Sequence, residues 1–318
     1  MSLSLSCRAI IGAFEFDSLA DVRIERDRRQ LGATATVTIP SIYNEQFVVD
    51  NIKGGDAVII GLGYNGDIRK EFVGYVADLS YSRPVKIRCE DEFYRLKRTT
   101  PAARSWKSVE LADVLRYLIE DAVLRDVPRV TLAPFAVKPG GNSYTALQKL
   151  CDSYGLQAWH DGTAFVVTVP MYSGAGQVVR YDMQSNVIDP QLEFRRAGDV
   201  RVKVSAVSIS PDNKRIMVDV GDLDAASTTT LHFYNVSSES ELRRLAEDKL
   251  STMKYDGMSG SMKTFGLPYV EPGMTARIRD RRFGSVRIGS YMVDAVTTQW
   301  GRQGFSREVT VGRKLSDE

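Results

Sequence analysis

Histidine is nearly absent: among 318 residues only His160 and His232 occur, and neither has a second His, a Cys or a carboxylate at zinc-site spacing. No metal and no cofactor are therefore expected. His160, beside Asp161-Gly162, reads as a turn-flanking strand residue, and His232, within Thr230-Leu231-His232-Phe233, as an ordinary strand residue. Cysteine is scarce too. Cys7, Cys89 and Cys151 are odd in number, far apart and set among apolar or amphipathic neighbours, which excludes a disulfide framework and suits free thiols packed as small hydrophobes. No stretch approaches the roughly 18 uninterrupted apolar residues of a membrane span. Met1–Ser6 lacks the basic and long apolar regions of a signal peptide, so a protein made in the cytosol without membrane insertion is expected. A charge excess is also missing: 42 Lys+Arg against 40 Asp+Glu leave +2, which does not imply nonspecific binding to nucleic acid.

What is present is β-structure. With 43% hydrophobic and 26% charged residues the chain is long enough for two or three packed domains. The segments Leu5–Ile11, Asp21–Arg26, Ala33–Ile39, Ala57–Leu62, Lys70–Ser80 and Val85–Cys89 read as strands, several alternating apolar with polar residues so that one face is buried and the other wet. Gly54-Gly55-Asp56 and Asn65-Gly66-Asp67 are turn signals, the second a hairpin. Several antiparallel strands without helices suggest a barrel or sandwich.

After Pro101 helical spacing takes over, from the possible N-cap Ser108 through Val123, ending before Pro128. A second helix follows Asn142 and Ser143 and stops at Gly155, and strands Leu156–His160 and Ala164–Val169 then flank the turn Asp161-Gly162. Long alternating strands return from about Val187, with a hairpin joining Val200–Ser208 to Lys214–Val220 across Ser210–Asn213. Ser237 or Ser238 caps a helix reaching about Tyr255. Strands near Met258–Phe265, Thr275–Asp280, Ser290–Trp300 and Arg307–Gly312 close the chain. The expected division is a β domain over 1–100, a small α+β domain over 101–182, and a second β domain with one helix over 183–318. Residues near 183–195 are the ones able to return to the first β domain.

Candidate chemistry is thin. Gly61-Leu62-Gly63-Tyr64-Asn65-Gly66 has the Gly-x-Gly-x-x-Gly spacing of a dinucleotide site, but strand rather than helix follows it, so a hairpin is the better reading. Glu90-Asp91-Glu92 offers the paired carboxylates of a glycosidase, yet Phe93-Tyr94-Arg95-Leu96-Lys97-Arg98 behind it suits a short helix with an acidic start and a basic end. No Gly-x-Ser-x-Gly elbow occurs, and no catalytic residues are assigned. Arg195-Arg196 and Arg279-Asp280-Arg281-Arg282 are basic clusters that read first as solvated turns and second as contacts for phosphate or an acidic partner.

Three segments carry a family resemblance. They are Phe72-Val73-Gly74-Tyr75-Val76-Ala77-Asp78 with Val85–Asp91; Thr145–Leu156, a helix ending on an aromatic-Gly step; and Tyr269-Val270-Glu271-Pro272-Gly273-Met274 with Gly289–Val296 and Val309–Gly312. Together they resemble phage late control protein D and the baseplate hub proteins of contractile tails, and the N-terminal half of type VI secretion spike proteins. The resemblance implies a mainly β fold with an α+β insertion: two tail-tube-like β-barrel domains plus a small α+β domain. It implies a non-enzymatic subunit whose homotrimer forms a pseudo-sixfold ring between tail tube protein and spike protein, beside other baseplate proteins. It further implies that DNA passes through the lumen only as cargo, and that the place is a virion tail baseplate assembled in the bacterial cytoplasm. With the sequence running to Glu318, directly after the last expected strand, puncturing or wall cleavage is expected to belong to a separate polypeptide. Pro272, Gly273 and Met274, as a turn aiming the next strand, and Arg281 and Arg282, as a basic loop, are the candidate interface residues. The competing readings are a tail-tip peptidoglycan hydrolase, and a carbohydrate- or receptor-binding module using Tyr269, Tyr291 and Trp300.

Overall fold

Alternation fixes the first half. In the computed structural model, which describes residues 4–43, 46–80, 82–132, 134–168, 176–209, 215–222, 224–234, 236 and 238–317, seven strands of the main sheet form before residue 91. They are β1 (Leu5–Ile11), β2 (Phe14–Phe16), β3 (Asp21–Asp27), β4 (Thr34–Ile39), β5 (Ala57–Tyr64), β6 (Asp67–Ser80) and β7 (Val85–Glu90). Cys7, Ala9 and Ile11 of β1, Val22 and Ile24 of β3, and Val85, Ile87 and Cys89 of β7 point into one apolar core, and the intervening residues face out. The β5–β6 connection is the expected two-residue hairpin, with Tyr64 opposite Asp67 and positive φ at both Asn65 and Gly66. Gly61, Gly63 and Gly66 therefore belong to a strand and its turn, not to a phosphate cradle.

A small α+β unit follows. Helix α1 (Leu111–Leu118) is shorter than the spacing predicts, because Val109–Glu110 pair with Thr131–Leu132 and Asp121 turns the chain at φ 57°. The N-cap is Glu110, not Ser108. Helix α2 (Ser143–Tyr154) runs from Asn142, whose side chain accepts from the Thr145 amide at 2.8 Å, to Gly155 at φ 62°. Strands β8 (Gln157–His160) and β9 (Phe165–Thr168) close the unit as a hairpin. Its core takes in Phe93 and Leu96, upstream of the expected start at 101, because the one-turn helix Phe93–Leu96 packs on α2 rather than on the first core.

The C-terminal half holds β10 (Val178–Asp182), β11 (Val187–Arg195), β12 (Lys203–Ile209), β13 (Arg215–Gly221), β14 (Thr228–Tyr234), helix α3 (Glu239–Met253), β15 (Gly257–Phe265), β16 (Thr275–Arg279), β17 (Ile288–Gly301) and β18 (Gly304–Ser316). β10, assigned by the sequence to the α+β unit, lies instead parallel to β16, while β11 pairs with β15 within the C-terminal half. Parallel partners nearly a hundred residues apart leave no turn signature, and this hid the pairing. Furthermore, β12, β13 and β14 leave the main sheet and form a separate three-stranded sheet under α3, whose Leu242 and Ala246 are fully buried against Val204, Ala206 and Val218. Ser238 caps α3 from its side chain, while Ser237 and the Ser210–Asn213 turn fall outside the described residues.

The fold is mainly β, and its thirteen principal strands form one hydrogen-bonded sheet ordered β11-β15-β18-β17-β3-β4-β7-β6-β5-β1-β2, with β16 and β10 branching from β17. Each β half still keeps its own core. The link is β17: its first part pairs with β16, and its last part, Ala295–Gly301, pairs with β3 and carries Trp300 into the first core.

Candidate assembly interface

A buried ion pair locks the two β halves together. Arg307 of β18 donates from Nη2 to Glu71 Oε1 at 2.6 Å and from Nη1 to Glu71 Oε2 at 3.0 Å, so the fork is bidentate. Its remaining donors go to the Thr298 hydroxyl and the Gly266 carbonyl, both at 2.8 Å, and both ionic side chains are essentially inaccessible. Around it Arg69 stacks on Tyr269 with its guanidinium 3.5 Å from the ring centre, and the Tyr64 hydroxyl donates to the Phe305 carbonyl at 3.0 Å. Arg26, also directed at this seam, donates to the Glu71 carbonyl. Nothing in the local patterns of Lys70-Glu71-Phe72 or Ser306-Arg307-Glu308 marks this pair in advance.

The outer face of the first half carries an apolar row. Ile10 of β1 sits opposite Ile59 of β5, and Ile59 opposite Val73 of β6, so the three touch across adjacent strands while remaining 37%, 38% and 43% exposed. The signal in the sequence is broken alternation: Ile10-Ile11, Ile59-Ile60 and Phe72-Val73 each place an apolar residue on the face that should be wet. At the sheet's other end β11 is an edge of nine residues, with Ile188 47% exposed. An unpaired edge presents free backbone donors and acceptors to another chain, and Pro190, Asp189 and Glu193 restrict what pairs with it.

The predicted interface residues form two groups, one at each end of β16. Glu271-Pro272-Gly273-Met274 is a type II turn, with Gly273 at φ 93° and the Met274 amide donating to the Glu271 carbonyl at 3.1 Å. The Gly273 amide and the Met274 carbonyl both bond to Val293, at 2.8 and 2.9 Å, which aims β16 along β17. Arg281 lies beyond the far end of β16, roughly 17 Å away at the usual strand rise. It is held by Asp182 at 2.6 Å, whereas the Arg282 side chain is exposed.

The candidate chemical residues have structural partners. Glu90 bonds to Arg88 and Lys97 and, against the upward push of burial, is held below the usual carboxylate range by those two cations; Glu92 pairs with Arg95. Asp91 accepts from the amides of Ala33 and Phe93, and burial raises its carboxyl to about 6. Of the aromatics proposed for sugar stacking, Tyr291 and Trp300 are buried, and Tyr269 is covered by Arg69 and bonded to Glu271. His160 accepts from the Gly162 amide through Nδ1 and packs on Phe165, as a turn-flanking residue does; His232 lies on β14. All three cysteines are buried thiols, that of Cys89 pushed up to about 12 by burial.

No protein-family model and no curated protein sequence matches the chain. Solved structures do. A tail protein from Neisseria meningitidis MC58 aligns with a TM-score of 0.67 at 15% identity, over 98% of this chain and 97% of that one. The 43 kDa tail protein of prophage MuSo2 from Shewanella oneidensis gives 0.66 at 15% identity, over 98% of each chain. An Escherichia coli component of the type VI secretion system, described as structurally similar to T4 bacteriophage tail proteins gp27 and gp5, gives 0.58 at 10% identity, over 99% of this chain and 78% of that one. The chain therefore has the fold of phage tail proteins, as the three sequence segments implied.

Proposed function

We propose that the chain is a structural hub subunit of a contractile phage tail or a phage-like injection device, three copies of which close into a pseudo-sixfold ring between tail tube and spike. The observation that carries this reading is the architecture: two β halves, each with its own core, joined rigidly through β17 and the Glu71–Arg307 pair. Three such pairs supply six β units, the number that adapts a sixfold tube to a threefold spike. Closed cyclic symmetry also consumes exposed strand edges without open-ended growth, which is what the β11 edge and the Ile10–Ile59–Val73 row require. Pro272, Gly273 and Met274 shape the second half of the ring, and Arg281 and Arg282 lie on its basic loop. The subunit is non-enzymatic, sits in the virion baseplate after cytoplasmic assembly beside other baseplate proteins, and meets DNA only as passing cargo. Light scattering after size exclusion tests it: a species near three times 35.4 kDa supports the ring. A strict monomer over a wide concentration range overturns it.

A further inference from the structure

Arginines gather on the outer face of β10 and β16. The two strands run parallel, with Arg180 opposite Arg277 and Asp182 opposite Arg279, and the alternate residues Val179, Tyr181, Ala276 and Ile278 are buried in the second core. Arg180, Arg277 and Arg279 therefore turn outward, and all three are exposed. Arg281 and Arg282, just past the end of β16, are exposed as well and extend the patch. Strand geometry sets the spacing, about 6.7 Å from Arg277 to Arg279 along β16 and about 4.8 Å from strand to strand.

The carboxylates within reach are already engaged. Asp182 is bonded by Arg281 at 2.6 Å, and Asp280, which is buried, pairs with Arg287 at 3.5 Å. Arg180, Arg277, Arg279 and Arg282 form no ion pair among the described residues. On the neighbouring strand β17 the residues opposite Arg277 and Arg279 are Ser290 and Ile288, which bring no charge. Like charges directly opposite one another destabilise a sheet, so the Arg180 and Arg277 pair weakens the isolated subunit. A surface that carries such a pair suits a ligand supplying the missing charge.

The flanks of the patch indicate which kind of ligand. Val178, at the start of β10, is 53% exposed and Phe283, directly after Arg282, 50%. Arginine beside exposed apolar and aromatic side chains is the composition of a protein interface, and guanidinium forks match carboxylates bidentately. Nucleic acid fits less well: the Phe283 ring already stacks with Arg287, 3.7 Å from its centre, and a net charge of +2 gives the chain no long-range field for a polyanion. We infer that Arg180, Arg277, Arg279 and the Arg281-Arg282 loop together dock an acidic surface of a neighbouring protein, with Val178 and Phe283 as its apolar flanks. The existence of a neighbour rests on the hub reading; the surface itself does not.

The test titrates the full chain into a fluorescein-labelled peptide of alternating glutamate and valine and reads anisotropy; as a strand, this peptide sets its carboxylates at the spacing of Arg277 and Arg279. Saturable binding that falls with salt is expected, weakened about fivefold or more by Arg180→Gln/Arg277→Gln. The same double variant should melt no lower than the parent, because the opposed charges are gone, and this separates lost binding from lost folding. Arg302→Gln, exposed in the turn between β17 and β18, should bind as the parent does. Absence of saturable binding, unchanged affinity in the double variant, or a comparable loss in Arg302→Gln overturns the inference. So does equal binding of a glutamine and valine peptide, or tighter binding of a single-stranded oligonucleotide of equal charge. Light scattering on the same sample reports the ring separately: a trimer that fails to bind keeps the ring and removes the docking surface, and a monomer that binds does the reverse.

Discussion

Arg307 and Glu71 place two full charges where the chain has no water to offer them, and each is tolerated because the other is there. Removing one partner of such a pair leaves an uncompensated charge and costs about 3–5 kcal/mol, whereas replacing both with apolar residues of similar size is near neutral. Glu71→Ala is therefore expected to lower the urea midpoint sharply, and Glu71→Leu/Arg307→Met to recover most of the loss. Asp91 gives a second test at this scale. Burial raises its folded-state pKa to about 6, above the ordinary value near 4, so the folded chain holds the proton more tightly than the unfolded one. Stability from this group is present below about pH 4 and is lost as pH rises through 6, by on the order of 2–3 kcal/mol. Measured as a difference between parent and Asp91→Asn, the variant's relative stability should climb across that window; a flat difference contradicts the assignment. Single residues of this kind were the least legible in the sequence. Glu71 and Arg307 sit 236 positions apart in segments that read as plain amphipathic strand, and only the folded sheet brings them together.

At the scale of elements the sequence was most informative where a local rule decides the outcome. The Asn65-Gly66 hairpin, the Asn142 cap and Gly155 stop of α2, and the alternation of β1 to β7 follow from a few neighbouring residues. Where pairing is long-range, as for β10 on β16 or β12 leaving the main sheet, no neighbouring residue encodes the partner. Gly273 shows how an element is aimed: its φ of 93° is open to glycine at no cost, and Gly273→Ala should destabilise by about 1–2 kcal/mol in thermal melts. Gly74, within the first resemblance segment, is constrained differently, since a Cβ there would lie 2.1 Å from the Glu90 carbonyl oxygen. Gly74→Ala is thus expected to open the β6–β7 ladder and cost more than the turn substitution. The apolar row makes the opposite prediction. Ile59→Asp changes an exposed position, so the melting temperature should move little while the proposed ring dissociates. Unchanged mass in that variant would remove the row from the interface.

For the whole molecule, the mainly β class and the order of β half, α+β unit and β half could be read from the chain, and the tail-protein fold from three of its segments. What could not be read is that the halves share one sheet, because a single long strand, β17, serves both. That continuity supports the proposed ring, since one strand joins the two β units of each subunit in place of a tether. Weakening the interior seam is expected to loosen the proposed assembly even though Glu71 and Arg307 are buried inside the subunit. The most direct measurement is electron microscopy of the purified chain, with class averages computed without imposed symmetry. Annular particles with a threefold outline and six β lobes around an open lumen are predicted; single subunits, open filaments or rings of another symmetry would contradict the account.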